Sequence, residues 1–346
     1  MLKNLQSVNT HPQPLSVPKR GVRGMSVMGN QGPITIIGYY GSYNAGDIWL
    51  NQKIKQWIAE RFPTHTSIIE HTCQDKFATF SKIKQSDIVV FGGGSLFQDI
   101  GSLKSVAYYA SLILWANFHK KPVYLISHGI GPIHRKITKF LLKIALKKCH
   151  ITVRDEASYT QLEQLGIIPK SLAVTADLAY FNQSISPSDP PQNPLLLFSI
   201  KPSAITQQLS EAITELTEQN IQTQGLIADT KEDTQVSILT LQNTRYWTLQ
   251  DHLNIESTAL SAHLLITMRY HAAVWASLKG IPFIALSDDP KLIALTEELK
   301  QIHIPLTPLD PTEFITIIKT LLENRQNFQN KLIHEVCTKI TVVSHS

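Results

Sequence analysis

The chain has 346 residues, 43% of them hydrophobic and 17% charged, which predicts two globular domains that each bury a core. The net charge of +5 lies mostly in residues 1–30, where four cations, no acid and several prolines and glycines predict a disordered basic tail. The rest of the chain is nearly neutral, which argues against a nucleic-acid partner. No apolar run approaches the roughly 18 residues of a membrane span, and three scattered cysteines favour reduced thiols in a cytoplasmic protein over disulfides or a zinc site.

Strand and helix patterns alternate along residues 31–181, which predicts an N-terminal Rossmann-like domain. Apolar runs predict strands over residues 33–40, 86–91, 122–127, 150–153 and 172–175. Helical spacing of apolar side chains predicts helices over residues 48–61, 135–148 and 156–165. The helix over residues 135–148 is basic and amphipathic. We interpret its lysines as a solvated face, with attraction of an anionic partner as the alternative.

A segment rich in proline and polar residues, 182–194, predicts a linker between two domains. Beyond it the alternation restarts and predicts a C-terminal Rossmann-like domain over residues 195–346. Its predicted strands are residues 195–200, 221–227, 264–267 and 281–286. Its predicted helices are residues 205–218, 233–241, 272–279 and 291–299, followed by a long helix from residue 311. The predicted fold class is therefore α/β, with two Rossmann-like domains that face each other across a cleft.

A cation, a phenol and an imidazole stand together after the predicted strand 264–267, as Arg269, Tyr270 and His271. In open α/β sheets, ligands bind in the crevice at the carboxyl ends of the strands, and the amides of a helix N-terminus there favour an anion. The position therefore predicts that Arg269 and His271 belong to an active site. The alternative is a histidine with a purely structural role.

Arg154 repeats this placement in the first half, between the predicted strand 150–153 and the next helix. The two halves would then carry Arg154 on one wall of the cleft and the second arginine with its histidine on the other. The alternative is an ion pair of Arg154 with Asp155, Glu156 or Asp177.

Two loops of small residues also follow predicted strands. Gly92, Gly93 and Gly94 precede Ser95, and three glycines in a row let backbone amides approach a ligand that a Cβ would exclude. The loop over residues 41–47 lies between a strand and a helix, as in nucleotide-binding folds, but it lacks the GxGxxG spacing. A tight turn is its alternative interpretation.

Five segments occur in an order that resembles the polysaccharide pyruvyl transferase family. They are GYYGSYNAGD (38–47), FGGGSLFQD (91–99), HGIGP (128–132), VRDEAS (153–158) and TMRYHAAVWASLKGIPFIALSDDPK (267–291). The resemblance implies a fold of the GT-B type and transfer of the pyruvate unit of phosphoenolpyruvate onto a sugar of a cell-surface polysaccharide or its precursor, as a ketal. This chain has Tyr270 where the family motif usually has leucine, and Lys201 where arginine is common.

The resemblance also implies roles for individual residues. Arg154 and Arg269 would bind the donor's carboxylate and phosphate, and His271 would be the catalytic acid. We predict that the donor site is completed by Tyr270, Gly93, Gly94 and Ser95. We predict that the acceptor is bound by Tyr40, Asn44, Asp47 and Asp99. The general base stays open among Asp47, Asp99, Asp177 and Asp229, and we expect no metal ion and no cofactor beside phosphoenolpyruvate as donor substrate.

Two other functions fit parts of the pattern. A GT-B glycosyltransferase with a nucleotide sugar donor would share the fold and the glycine loops, and a binding-only relative would serve as a sensor or scaffold. The acceptor is expected to be a glycan or a lipid-linked sugar; the oligomeric state stays open. A lipid-linked acceptor would bring this cytoplasmic protein to the inner face of the membrane, where the tail of residues 1–30 would be attracted to anionic lipid.

Overall fold

The computed structural model describes residues 32–40, 43–65, 68–70, 76–100, 103–187, 189–201, 207–233, 246–248, 260–306 and 310–345. The tail predicted over residues 1–30 and most of the helix predicted over residues 233–241 lie outside these ranges.

The first half contains a six-stranded parallel sheet with the order β2-β1-β3-β4-β5-β6. Its strands are β1 Ile34–Ile37, β2 Ile68–Glu70, β3 Ile88–Gly92, β4 Val123–His128, β5 His150–Val153 and β6 Ser171–Val174. Strands β1, β3 and β4 are buried at every residue. Helices therefore cover both faces of the sheet, and this is why these strands read as continuous apolar runs.

The helices of this half are α1 Ala45–Arg61, α2 Lys76–Gln85, α3 Leu103–Phe118, α4 Lys136–Ala145 and α5 Glu156–Gln164, with short 3₁₀ helices at Leu146–Lys148 and Leu178–Tyr180. Asn44 begins α1, because its side-chain oxygen accepts hydrogen bonds from the amides of Gly46 and Asp47. Asp155 begins α5 in the same way, with a bond of 2.7 Å from the Ser158 amide.

The second half repeats the architecture with a parallel sheet of order β12-β11-β10-β7-β8-β9. Its strands are β7 Leu195–Ser199, β8 Gln222–Ile227, β9 Tyr246–Thr248, β10 Leu264–Thr267, β11 Phe283–Leu286 and β12 Ile302–Ile304. Its helices are α6 Gln207–Glu218, α7 Tyr270–Leu278, α8 Pro290–Glu298, α9 Pro311–Glu323 and α10 Arg325–Ser344. None of the helices described is both long and apolar enough to span a membrane.

The predicted fold class is confirmed, but several elements were not predicted. They are the three-residue strands β2, β9 and β12 and the helices α2 and α3. Three residues are too few to show a period of two, and α3, with the sequence LKSVAYYASLILWANF, is apolar on most of its turns. The long helix predicted from residue 311 is two helices that meet at Asn324. The domain limits at residues 31–181, 182–194 and 195–346 stay predictions.

The strand order reverses at one place in each sheet. In the first sheet this switch point lies between β1 and β3, and in the second it lies between β7 and β10. The segments that leave these strands carry the glycine loop of Gly93 and Gly94 on one side and Arg269 with His271 on the other. Switch points are where open α/β sheets bind ligands, so the topology brings the candidate residues to the expected crevice.

The two halves share one buried apolar cluster. It includes Trp49 of α1, Trp275 of α7, Val336 of α10 and the segment 178–181. The Tyr180 and Ser277 hydroxyls bond to each other across this junction at 2.9 Å. Helix α10 also returns to the first half, where the Arg61 guanidinium donates to the Ser344 carbonyl. This packing holds the two switch points opposite each other.

Candidate active site

Arg154 lies buried at the carboxyl end of β5, with 4% of the residue exposed. Its Nε donates to Asp155 at 3.1 Å, its Nη1 to Asp177 at 3.4 Å and its Nη2 to the Ser95 hydroxyl at 3.1 Å. The centroid of the Tyr270 ring, from the other half, lies 4.4 Å from the guanidinium carbon. The ion pairs expected as the alternative role are thus present with Asp155 and Asp177. They hold the cation at the crevice, where it also contacts two predicted donor-site residues.

The glycine loop after β3 makes room for this arginine. Gly93 and Gly94 have φ values of +67° and +77°, a region that favours glycine, and their turn brings Ser95 next to Arg154. The Gly94 carbonyl accepts a hydrogen bond of 2.8 Å from the Gly129 amide. A Cβ at Gly129 would lie 2.7 Å from the Arg154 Nη2. The segments 91–99 and 128–132 therefore both lie against the Arg154 guanidinium.

Arg269 follows β10 and is the N-terminal flanking residue of α7, with 12% of its side chain exposed. Its Nη2 pairs with Glu232 at 2.9 Å and with Asp233. The second oxygen of Asp233 accepts hydrogen bonds from the amides of Ala228 at 3.0 Å and Asp229 at 2.9 Å. The Arg269 Nε is buried and has no hydrogen-bond partner in the part of the chain that the structure describes. The contacts described for this guanidinium are thus made through Nη2.

His271 lies in the first turn of α7 and packs against Gly46 at the start of α1. A Cβ at Gly46 would overlap with the imidazole. Burial lowers the pKa of His271 to about 4; Asp177 opposes this shift, while the charges of Arg154 and Lys291 add to it. The Nε2 is buried without a hydrogen-bond partner among the described residues. The ring is thus neutral at pH 7.

The segment before α1 is bound to the second half of the chain. The Ala45 amide donates to the Ala228 carbonyl at 2.9 Å, and the Thr230 amide donates to the Tyr43 carbonyl at the same distance. Asn44 forms a β-bridge with Asp229, and its Nδ2 lies 3.5 Å from the Asp229 carboxylate. This contact, which we call the inter-half bridge, fixes the N-terminus of α1 beside α7.

Asp47 follows directly in the first turn of α1. Burial raises the pKa of its carboxyl to about 7, and the neighbouring Asp229 carboxylate raises it further, whereas Lys291 opposes the shift. Of the four carboxylates considered as a base, Asp99, Asp177 and Asp229 all accept hydrogen bonds from backbone amides. The surroundings of Asp47 bring its pKa close to neutrality, a property common at functional sites.

Two predicted acceptor residues make contacts within the fold instead. The Tyr40 hydroxyl donates to the Gly92 carbonyl at 2.9 Å, and burial raises the pKa of that hydroxyl. The two oxygens of Asp99 accept from the amides of His134 at 2.9 Å and Arg135 at 2.8 Å. The structure thus brings together Arg154, Ser95, Tyr270, Arg269, His271, Asn44 and Asp47, while Tyr40 and Asp99 support the loops behind them.

Three residues of the site had not been identified from the sequence. Glu232 and Asp233 pair with Arg269 from 36 or 37 residues away, and no local pattern indicates such a contact. Lys291, at the second position of α8, carries a charge that acts on Asp47, His271 and Arg154. Its place after the β11 strand is the signal that could have found it, because β11 also ends at the crevice edge.

The described ranges contain no group of three or more His, Cys, Asp or Glu side chains that could hold a metal ion.

Comparison with known families gives a match over most of this chain. A family model described as polysaccharide pyruvyl transferase matches residues 44–290. The amylovoran biosynthesis protein AmsJ of Erwinia amylovora is 23% identical over 298 residues, which cover 74% of this chain and 70% of AmsJ.

Solved structures share the fold at low sequence identity. Anabaena Alr3699/HepE in complex with UDP-glucose has a TM-score of 0.56 at 14% identity, covering 90% of this chain and 97% of that one. A UDP-N-acetylglucosamine 2-epimerase has a TM-score of 0.58 at 11% identity, covering 90% and 93%. MurG of Acinetobacter baumannii has a TM-score of 0.53 at 12% identity, covering 91% and 97%. These GT-B glycosyltransferases and epimerases confirm the predicted arrangement of two Rossmann-like domains.

Proposed function

Because this chain belongs to the polysaccharide pyruvyl transferase family, we propose that it transfers the pyruvate unit of phosphoenolpyruvate to a sugar of a cell-surface polysaccharide or its precursor. The product is a pyruvate ketal, in which two sugar oxygens are bonded to the former C2 of phosphoenolpyruvate. The family and the relation to AmsJ support a role in polysaccharide synthesis. The donor and the ketal are the further steps of the proposal.

The observation that carries the proposal is the meeting of Arg154, from the first half, with Tyr270 and His271 in the first turn of α7, the helix that Arg269 directly precedes. Phosphoenolpyruvate is a small anion with a carboxylate and a phosphate. Guanidinium groups bind both through paired, planar N–H donors. Two arginines on opposite walls thus suit one ligand that carries two anionic groups.

The contacts of the arginines support a ready exchange of partners. Glu232 has 60% of its side chain exposed, so an incoming anion can replace it on Arg269 while the buried Asp233 keeps the guanidinium in place. The Arg269 Nε, which has no hydrogen-bond partner among the residues that the structure describes, would be a further donor to the anion. Arg154, held by Asp155 and Asp177, offers a preorganised positive charge on the opposite side.

The proposed reaction adds one proton to the C3 methylene, which becomes a methyl group while positive charge develops at C2. One sugar hydroxyl oxygen attacks C2, the C2–O bond to phosphate breaks, and a second hydroxyl completes the ketal. The two hydroxyl protons balance the proton added at C3 and the one carried away by hydrogen phosphate. The protein must therefore supply one acid and one base.

His271 is the proposed acid, and this role requires that its pKa rise when the donor binds. An imidazole with a pKa of about 4 carries little proton at neutral pH. A nearby opposite charge favours the protonated form, so the bound phosphoenolpyruvate anion would raise this pKa. Protonation of His271 would then accompany donor binding, and the acid would be charged when the substrate is present.

Asp47 is the proposed base for the attacking hydroxyl. Its pKa of about 7 lets it exist as a carboxylate at neutral pH and still accept a proton, the property that suits general base catalysis. The inter-half bridge fixes its helix beside α7. Asn44 and Asp47 together form the proposed acceptor side.

A product assay tests the proposal directly. The protein is offered phosphoenolpyruvate, UDP-glucose and a panel of saccharides with neighbouring free hydroxyl pairs, and the products are analysed by mass spectrometry with measurement of released phosphate. We expect a saccharide that gains a pyruvate ketal, with one phosphate released per product. A saccharide that gains a hexose without phosphate release from phosphoenolpyruvate would replace this function with glycosyl transfer.

A further inference from the structure

Helix α4 exposes large apolar side chains to solvent. Ile137, Phe140 and Ile144 are 49%, 61% and 48% exposed, and their spacing of three and four residues places them on one face of the helix. The opposite face, with Thr138 and Leu142, packs against the first half of the molecule. The interpretation of the lysines as a solvated face therefore leaves three large apolar side chains on the same helix surface unexplained.

The same stretch is strongly basic. It contains Arg135, Lys136, Lys139, Lys143, Lys147 and Lys148, and no acidic residue lies between positions 134 and 148. Every one of these cations is exposed. Apolar and cationic side chains thus share a single surface, which is the pattern of helices that lie in the plane of a membrane interface.

The end of α3 extends this surface. The Asn117 amide group donates to the Ala145 carbonyl at 3.2 Å, which places the C-terminal ends of α3 and α4 side by side. The next residue, Phe118, is 75% exposed and is followed by Lys120 and Lys121. The same combination of an exposed apolar ring and lysines therefore continues from one helix to the next.

We propose that the exposed face of α4, with Phe118, docks on the surface of a bilayer that contains anionic lipid. The lysines and the arginine complement the negative surface charge, and Ile137, Phe140 and Ile144 insert at the boundary between head groups and acyl chains. Charge alone would fit any polyanion. The apolar row selects a lipid surface, because a soluble polyanion offers nothing to bury it.

The position of α4 gives this docking a consequence for the site. The helix begins just after the loop whose Gly129 lies against Arg154, and Asp99 fixes its start through the amides of His134 and Arg135. Docking through α4 would hold the crevice near the lipid surface. Delivery of a lipid-linked acceptor there rests on the proposed function, whereas the docking itself does not.

Cosedimentation with lipid vesicles tests the docking surface on the full chain. We expect binding to vesicles of phosphatidylcholine mixed with phosphatidylglycerol, a decrease with rising salt, and little binding to phosphatidylcholine alone. The triple variant Ile137→Ser, Phe140→Ser, Ile144→Ser should bind about tenfold more weakly or worse. Phe77→Ser, which changes an 88% exposed residue of α2, should bind like the wild type. Circular dichroism and thermal unfolding check that each variant is folded.

Three results would overturn the inference. The first is a folded triple variant that binds anionic vesicles like the wild type. The second is loss of binding on deletion of residues 1–30 with no effect of the triple variant, which would move the contact to the tail. The third is a dimer of the wild type that the triple variant separates into monomers without any vesicle binding, which would show that a second copy covers the face.

Discussion

Two glycines determine where the two central side chains can lie. Gly46 leaves the space that the His271 ring occupies, and Gly129 leaves the space beside the Arg154 guanidinium. Each glycine comes from a different segment of the chain than the side chain it accommodates. Close approach of backbone to a functional side chain is thus a physical reason for glycine at both positions.

Gly46→Ala tests this close approach. An alanine in a helix normally stabilises the fold by roughly 0.5–1 kcal/mol relative to glycine, but here the new methyl group would displace the imidazole. We expect a protein of similar thermal stability whose turnover of phosphoenolpyruvate falls by about two orders of magnitude, in line with a lost general acid. Thermal unfolding and steady-state kinetics measure both. Unchanged turnover would show that the position of His271 does not matter.

The Asp47 carboxyl links catalysis and stability to pH. Its pKa is raised to about 7 in the folded chain. Between about pH 4, the ordinary pKa of an aspartate, and about pH 7, the folded chain binds more protons than the unfolded chain. The free energy of unfolding therefore falls as the pH rises through this range. As a base, the same group makes the reaction faster as the pH rises through about 7.

Asp47→Asn separates these two effects. The variant should lose the rise of rate around neutral pH and about 10²-fold or more of the activity. At pH 8, where the wild-type carboxylate is charged, its free energy of unfolding should exceed the wild-type value by at most about 4 kcal/mol, and at pH 4 the difference should vanish. Denaturant titrations and pH–rate profiles provide the readouts. A variant that is less stable at pH 8 would contradict the raised pKa.

At the scale of elements, the start of α1 does more than begin a helix. Asn44 accepts the Gly46 amide at 2.9 Å and also contacts Asp229 in the other half through the inter-half bridge. The cap and the bridge together orient the helix turn that carries Asp47. A local N-cap therefore also positions a residue of the site.

Asn44→Ala should show this double role. Loss of an N-cap costs about 1 kcal/mol of stability, and the loosened bridge should also lower kcat for the pyruvyl transfer. The matched control is Asp310→Ala, which removes the N-cap of α9 and its 2.9 Å bond from the Glu313 amide. Both variants should unfold at lower temperature, but kcat should fall only for Asn44→Ala. Equal kcat in the two variants would show that Asn44 acts only as the N-cap of α1.

The elements also show what local patterns reveal. The strands β1, β3, β5, β7 and β10 were all predicted, because a strand inside a parallel sheet is a continuous apolar run. Such a run is visible in the local sequence without knowledge of the neighbouring strands. Helix α7 begins at Tyr270, two residues before the predicted start, since the predicted limit followed the apolar period rather than the backbone. The helices α2 and α3 were missed because neither shows one apolar stripe along its length.

At the scale of the whole molecule, the site depends on contacts that a local pattern does not contain. The positions of Arg154, Arg269 and His271 at strand ends were predicted, because a parallel sheet places all carboxyl ends at one edge. The pairing of Arg269 with Asp233 and the low pKa of His271 were not, because both arise where the two halves pack together. The shared apolar cluster that includes Trp49 and Trp275 maintains that packing.

The most direct test of the central claim is a calorimetric titration of phosphoenolpyruvate, beside UDP-glucose, into the wild type, Arg269→Ala and the control Arg61→Ala. Arg61 is an exposed arginine of α1 that bonds to the Ser344 carbonyl. We predict that phosphoenolpyruvate binds the wild type and Arg61→Ala equally, and Arg269→Ala about 10- to 100-fold more weakly, as expected for a lost charge-assisted hydrogen bond. Tight binding of UDP-glucose with no response to phosphoenolpyruvate, or equal affinity in all three proteins, would contradict the assignment of donor and site.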